Sequence, residues 1–161
     1  MLSQEALSVY LNDHLAGSVA AVDLIEQALD RNKGTELGVF LQQLLDDVRA
    51  DQGALQRLME QFDVEKSGVK QATSWAAEKF SRLKFMTTGR TSEGLRNLLE
   101  LEALLLGVCG KRSLWLSLKA ASEADSRLEQ ADLDALIKRA EDQISGIEQH
   151  RDEAARQGLT E

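Results

Sequence analysis

The chain has 161 residues, of which 43% are hydrophobic and 29% charged, with a net charge of −8 and no proline. Residues 1–161 are read as one globular domain with room for a sizeable core. The acidic balance argues against nucleic acid, whose phosphates need a basic face, and against docking on an anionic membrane surface.

The first helix is predicted over about 4–32, with Ser3 as N-cap and Leu7, Leu11, Leu15, Ser18, Val22, Ile25 and Leu29 at helical spacing. Gly34 supplies the left-handed cap. The second runs from the N-cap Thr35 over about 36–62, with a seam of Leu37, Leu41, Leu44, Val48, Leu55, Leu58 and Phe62. The loop between them is short enough to force an antiparallel hairpin. A crossover follows, carrying a shorter helix over about 69–84 with Trp75, Ala76, Phe80 and Leu83 on one stripe. Residues 86–91 read as a loop.

The next helix, over about 93–121, starts from the N-cap Ser92 and carries Leu95, Leu98, Leu99, Leu105, Leu106, Leu114, Leu116 and Leu118. Gly107 and Gly110 each cost about 1 kcal/mol against Ala in a helix, so they point to close backbone packing or a bend. The last helix spans about 132–157, with Leu133, Leu136, Ile137, Ala140, Ile144, Ile147 and Ala154 on one face. The expected fold is all-α: an antiparallel four-helix bundle with one additional short helix in the crossover.

Polar residues interrupt these seams. His14 sits between Leu11 and Ser18, and Asp51 between Val48 and Leu55. With the first turn centred on Lys33, His14 lies about 19 residues before it and Asp51 about 18 after. An α-helix has a fixed rise of about 1.5 Å per residue, so the two side chains are level. Glu102 breaks the seam of the next long helix. With the second turn near Asp125, the level residue on the last helix is Glu148, and Arg151 is one turn away. His14, Asp51, Glu102, Glu148 and Arg151 thus form a candidate polar layer in the core. One reading is a set of buried ion pairs, His14 with Asp51 and Glu102 or Glu148 with Arg151, which fixes helix register.

Two long helical hairpins joined by a crossover resemble the ferritin-like superfamily. The stretches YLNDHLAGSVAAVDL, WAAEKFSRLK, LLELEALLLGVCGKRSLW and RAEDQISGIEQHRDEAA resemble, more closely, a group of small bacterial ferritin-like proteins of unassigned function. Di-iron members place one Glu on each of two helices and a Glu-x-x-His motif on each of the other two. The resemblance puts the single-Glu positions at His14 and Glu102, and the motif positions at Val48–Asp51 and Glu148–Arg151. Each motif has lost a member: Val48 cannot ligate, and Arg151 brings a fixed positive charge. The resemblance implies the fold without a working di-iron site. A second reading keeps one iron or another divalent transition metal on His14, Asp51, Glu102 and Glu148, with Arg151 turned away.

The remaining candidates read as structural. His150 is expected in solvent, and Cys109 as a small buried hydrophobe on the apolar face of its helix. Cys109 is alone, which removes any disulfide framework or thiolate zinc cluster. Trp75 and Trp115 read as core anchors, and Asp46–Asp47, Glu141–Asp142 and residues 78–84 as solvated faces. No phosphate loop, Ser-His-Asp set or nucleophile elbow is present. Met1 and Leu2 are followed by Ser3, Gln4 and Glu5 rather than a signal-peptide pattern, so a cytoplasmic location is expected.

Three functions compete. The first is a structural or interaction protein, a homodimer or partner-binding module whose patch includes Leu101, Leu104 and Leu118. The second is a metal-binding protein or metal-dependent oxidoreductase with an altered ligand set. The third is a bundle holding a small apolar ligand in a gap left by Gly107 and Gly110.

Overall fold

The computed structural model describes residues 2–67 and 92–160, the side chains of residues 129 and 130 excepted. The predicted helix over 69–84 and the loop over 86–91 lie outside the described residues, as do Trp75 and Phe80. Among the described residues there are four long helices: α1 (Gln4–Arg31), α2 (Glu36–Gln61), α3 (Glu93–Ala121) and α4 (Leu133–Leu159). Two short 3-10 segments, Ser122–Ala124 and Ser126–Gln130, join α3 to α4. None of these helices is long and apolar enough to cross a membrane.

Each helix starts where its capping residue dictates. The side chains of Ser3, Thr35, Ser92 and Asp132 accept hydrogen bonds from the backbone N–H groups of Ala6, Gly38, Leu95 and Ala135. Each such cap is worth about 1 kcal/mol, because it satisfies a donor the helix leaves orphaned. Gly34 has a φ of 81°, the left-handed conformation expected of the residue that turns the chain into α2.

The packing partners are read from specific contacts. Between α1 and α2, Gln4 Nε2 donates to the Phe62 carbonyl at 2.6 Å, Gln52 to Ser18 Oγ at 2.9 Å, and Arg49 pairs with Glu26. Between α3 and α4, Gly94 abuts Gly158, Arg112 pairs with Glu141 at 3.2 Å, and Lys119 with Asp134 at 2.5 Å. Arg31 and Asn32 at the end of α1 bond Glu100 and Asn97 on α3. Phe40 on α2 lies under Gly146 of α4.

Leu11, Leu15, Ile25, Leu41, Leu44, Met59, Leu101, Leu114, Trp115 and Ile147 form the most deeply buried part of the core. Two expectations for α3 are corrected here. Leu101, Leu104 and Leu118 face inward and cannot form a surface patch, whereas Leu106, placed in the seam by sequence, is 76% exposed. Leu116 is also exposed. The helix is apolar around most of its circumference, so the sequence pattern does not fix which side turns inward.

The glycine expectation also changes. Among the described residues, a Cβ built at Gly107 or Gly110 meets nothing within 4 Å, so neither marks close packing between these helices. The close crossing is at Gly94 and Gly158 instead. A Cβ on Gly94 would lie 2.7 Å from Gly158 N, and one on Gly158 would lie 2.4 Å from Leu95 N.

Candidate functional site

Asp51 projects from α2 into the core and is only 2% exposed. Its carboxylate collects four donors. Oδ1 accepts from Arg139 Nε at 2.7 Å and lies 2.5 Å from Arg139 Nη2. Oδ2 accepts from Lys111 Nζ at 2.5 Å and from Gln143 Nε2 at 3.1 Å. Lys111 also donates to Gln143 Oε1, closing a ring of three side chains from α2, α3 and α4. An ionised carboxylate offers about four lone-pair sites, so Asp51 is saturated.

Local pattern puts these partners inside. Lys111 falls on the buried stripe Leu101, Leu104, Val108, Trp115 and Leu118, and Gln143 on the stripe Leu136, Ala140 and Ile147. Both were readable as polar interruptions of a helical stripe, though sequence reasoning favoured Glu102 and Glu148 in their place. Arg139 reaches in from the flank of α4, its side chain more exposed than those of Lys111 and Asp51. Burial pushes the Lys111 ammonium below its ordinary pKa, while the Asp51 charge and hydrogen bond pull it back up.

The predicted polar layer is therefore only partly formed. His14 and Asp51 stand at a similar height, since both line one pocket between α1, α2 and α3. Asp51's partners are Lys111, Arg139 and Gln143, however, and His14 instead stands edge-on to Tyr10 with ring centroids 4.8 Å apart. Burial lowers the His14 pKa, opposed by the charge of Asp13.

Glu102 and Glu148 are exposed, and Arg151 is half-buried and bonded to Asp152 at 2.5 Å. The Asp152 hydrogen bond and charge raise the Arg151 pKa, with Glu148 and Glu102 adding to it. Both carboxylates act on Arg151, so the three residues stand near one another, but on the outside of α3 and α4 rather than in the core. Glu102 is next to buried Leu101, and Glu148 next to buried Ile147. One residue along a helix is a rotation of about 100°, enough to carry a side chain from core to solvent.

Two smaller expectations are corrected as well. Cys109 is exposed rather than buried. His150 is not fully in solvent: its ring packs on Phe40 with centroids 4.4 Å apart, and burial lowers its pKa. Trp115 is fully buried, as expected of a core anchor.

The cavity beside Asp51 has a volume of about 90 Å³. Val48, Leu55, Val108 and Leu114 supply apolar wall, and Lys111 and Asp51 a charged edge. Trp115 also lines it, and its indole N–H has no hydrogen-bond partner among the described residues. Leaving a buried donor unpaired costs about 1–3 kcal/mol. Gly17 on α1 and Gly107 on α3 border the same space, with nothing among the described residues within 4 Å of a built Cβ. Each gives up about 1 kcal/mol of helix stability relative to Ala without gaining close packing.

A second buried ion pair lies near the end of α1. Glu100 on α3 takes Arg31 on both carboxylate oxygens, and burial raises its pKa while the Arg31 charge opposes the rise. Among the described residues, no group of three or more His, Cys, Asp or Glu side chains stands together as a metal-binding set. The predicted ligand set does not fit a di-iron centre: its one buried carboxylate is capped by cations, and Glu102 and Glu148 face solvent. Comparison with known proteins finds no matching family model, no matching curated protein and no matching solved structure.

Proposed function

We propose that this chain is an antiparallel four-helix bundle of the ferritin-like type that serves as a structural or interaction protein rather than a di-iron enzyme. The observation that carries this reading is the saturation of Asp51 by Lys111, Arg139 and Gln143. Two cationic side chains stand at the position from which a metal ligand would reach, so binding a cation there requires breaking three bonded contacts in the core.

The contact pairs support the arrangement. Gln4 with Phe62 and Ser18 with Gln52 run oppositely along α1 and α2, as Gly94 with Gly158 and Lys119 with Asp134 do along α3 and α4. Arg31 with Glu100 and Phe40 with Gly146 link the two hairpins. With α1 opposed to α2 and also to α3, α2 and α3 run the same way, as a long crossover between hairpins requires.

The interaction role rests on the outer face of α3. Leu106, Cys109 and Leu116 are exposed there, at spacings of three and seven residues that keep them on one side of the helix. A homodimer would cover that strip. Light scattering is expected to give twice the 17.8 kDa chain mass, returning to one chain for Leu106→Lys. Elemental analysis after aerobic exposure to ferrous iron is expected to show no stoichiometric metal and no change in thermal midpoint. Stoichiometric iron that disappears in His14→Ala and Asp51→Ala would overturn the reading.

A further inference from the structure

We infer that the cavity between α1, α2 and α3 is a binding site for a short-chain monocarboxylate. The inference goes beyond the interaction role and does not depend on it. Its first ground is an excess of donors. A lysine ammonium has three N–H donors, and Lys111 gives two of them to Asp51 and Gln143. The indole N–H of fully buried Trp115, also in the cavity wall, is given to nothing among the described residues. The one carboxylate in that wall, Asp51, is already saturated. Of the other polar side chains in the wall, Gln52 bonds Ser18, Ser18 bonds the Leu15 carbonyl, and His14 stands edge-on to Tyr10. His14 offers at most one imidazole acceptor to the two spare donors, so the cavity is short of acceptors.

Charge narrows the class. Around Asp51 two cations, Lys111 in the cavity wall and the part-exposed Arg139 on its flank, face one carboxylate, with Asp47 acting on Lys111 only from its half-buried flank. An anionic acceptor balances that excess where a neutral one does not. Shape and size narrow it further. Most of the wall is apolar, so the ligand carries a hydrocarbon tail. An apolar cavity of roughly 150 Å³ admits benzene, with its six heavy atoms. By that ratio the 90 Å³ here encloses about four non-hydrogen atoms, the size of acetate, and the exposed Gly17 and Gly107 mark an open side where the last carbons of propionate or butyrate emerge. Among the described residues a Cβ at either glycine would meet nothing within 4 Å.

The test is a titration of the full ¹⁵N-labelled chain with sodium butyrate, sodium chloride serving as control at matched ionic strength. The readout is the indole N–H signal of Trp115, told apart from that of Trp75 by its loss in Trp115→Phe. The expected result is a saturable shift with butyrate and none with chloride. Affinity should rise from acetate to butyrate, gain nothing further for hexanoate, whose extra carbons stand in solvent, and fall at least about tenfold for butyramide, which lacks the charge. Backbone signals beside the cavity should show butyrate binding weakened about tenfold in Trp115→Phe, which removes the donor and keeps the ring. A response that follows chloride equally, an affinity that keeps rising through hexanoate, or equal binding of butyramide overturns the inference. The series and the amide comparison use the native chain, so they decide the matter even where the variant folds poorly.

Discussion

Two ionic clusters of similar make-up sit on opposite sides of the core wall. Around Asp51, a carboxylate meets Lys111, Arg139 and Gln143 with almost no exposure to water. Around Arg151, a guanidinium meets Asp152, with Glu148 and Glu102 nearby, in solvent. The chemistry is alike and the consequence is not. In water an ion pair gains little over its hydrated members, whereas a buried member left alone has neither solvent nor partner. The comparison teaches that burial, rather than the number of charged contacts, decides which cluster the fold depends on.

The strongest test removes one member from each side. Asp51→Ala strands Lys111 in the core and is expected to cost about 3–5 kcal/mol in urea unfolding. Glu148→Ala, which touches only the outer cluster, should leave the unfolding midpoint where it is. An Asp51→Ala protein as stable as the native chain would break the comparison.

The backbone offers the same contrast with smaller effects. Gly158→Ala forces a Cβ onto the α3 backbone at 2.4 Å and should destabilise by about 1–3 kcal/mol. Gly110→Ala adds a methyl into open space and should stabilise by about 0.5–1 kcal/mol. Thermal midpoints moving in opposite directions are the expected signature.

The Glu100–Arg31 pair is an intermediate case, and pH sharpens it. The folded pKa of Glu100 is raised above its ordinary 4.5, chiefly by burial. The group therefore contributes stability that is full below about pH 4.5 and lost as pH rises through the folded value. Chemical denaturation against pH should show the stability of the native chain, relative to Glu100→Gln, falling as pH climbs out of the acid range. A difference that grows in the native chain's favour would contradict the assigned cause.

The smallest effect concerns the two histidines. Burial lowers the pKa of His14 and of His150 from 6.5, so the stability each contributes is present above about pH 6.5 and lost on acidification. His14→Phe should flatten part of the acid limb of the stability profile, and His150→Phe a smaller part, because His150 is the less buried of the two. An unchanged acid limb in the double variant would show that neither imidazole is desolvated.

Much of the architecture was legible in the chain. The caps at Ser3, Thr35 and Ser92 and the left-handed Gly34 fall where their side chains require. Asp51 was legible because a single acidic residue interrupts a clean stripe on α2. Lys111 and Gln143 carried the same signal but were harder to separate from their neighbours. On α3, Leu98, Leu99, Leu101, Leu104, Leu105 and Leu106 surround nearly the whole helix, so Glu102 satisfied an apolar spacing as well as Lys111 did.

The sequence by itself determined four long helices, their ends, and the height at which each polar residue stands. Height follows from the rise per residue, which the helix's own hydrogen bonds fix. Only the tertiary structure decided how each helix is turned about its axis, because that rotation is set by side chains packing against neighbouring helices. So His14 stood beside the same pocket as Asp51 but out of its bonding shell, and Glu102, Glu148 and Arg151 gathered on the outside of the core instead of within it. Lys111 and Arg139 took the inner place, since a carboxylate buried on α2 must be met by whatever cations the packed helices can turn toward it.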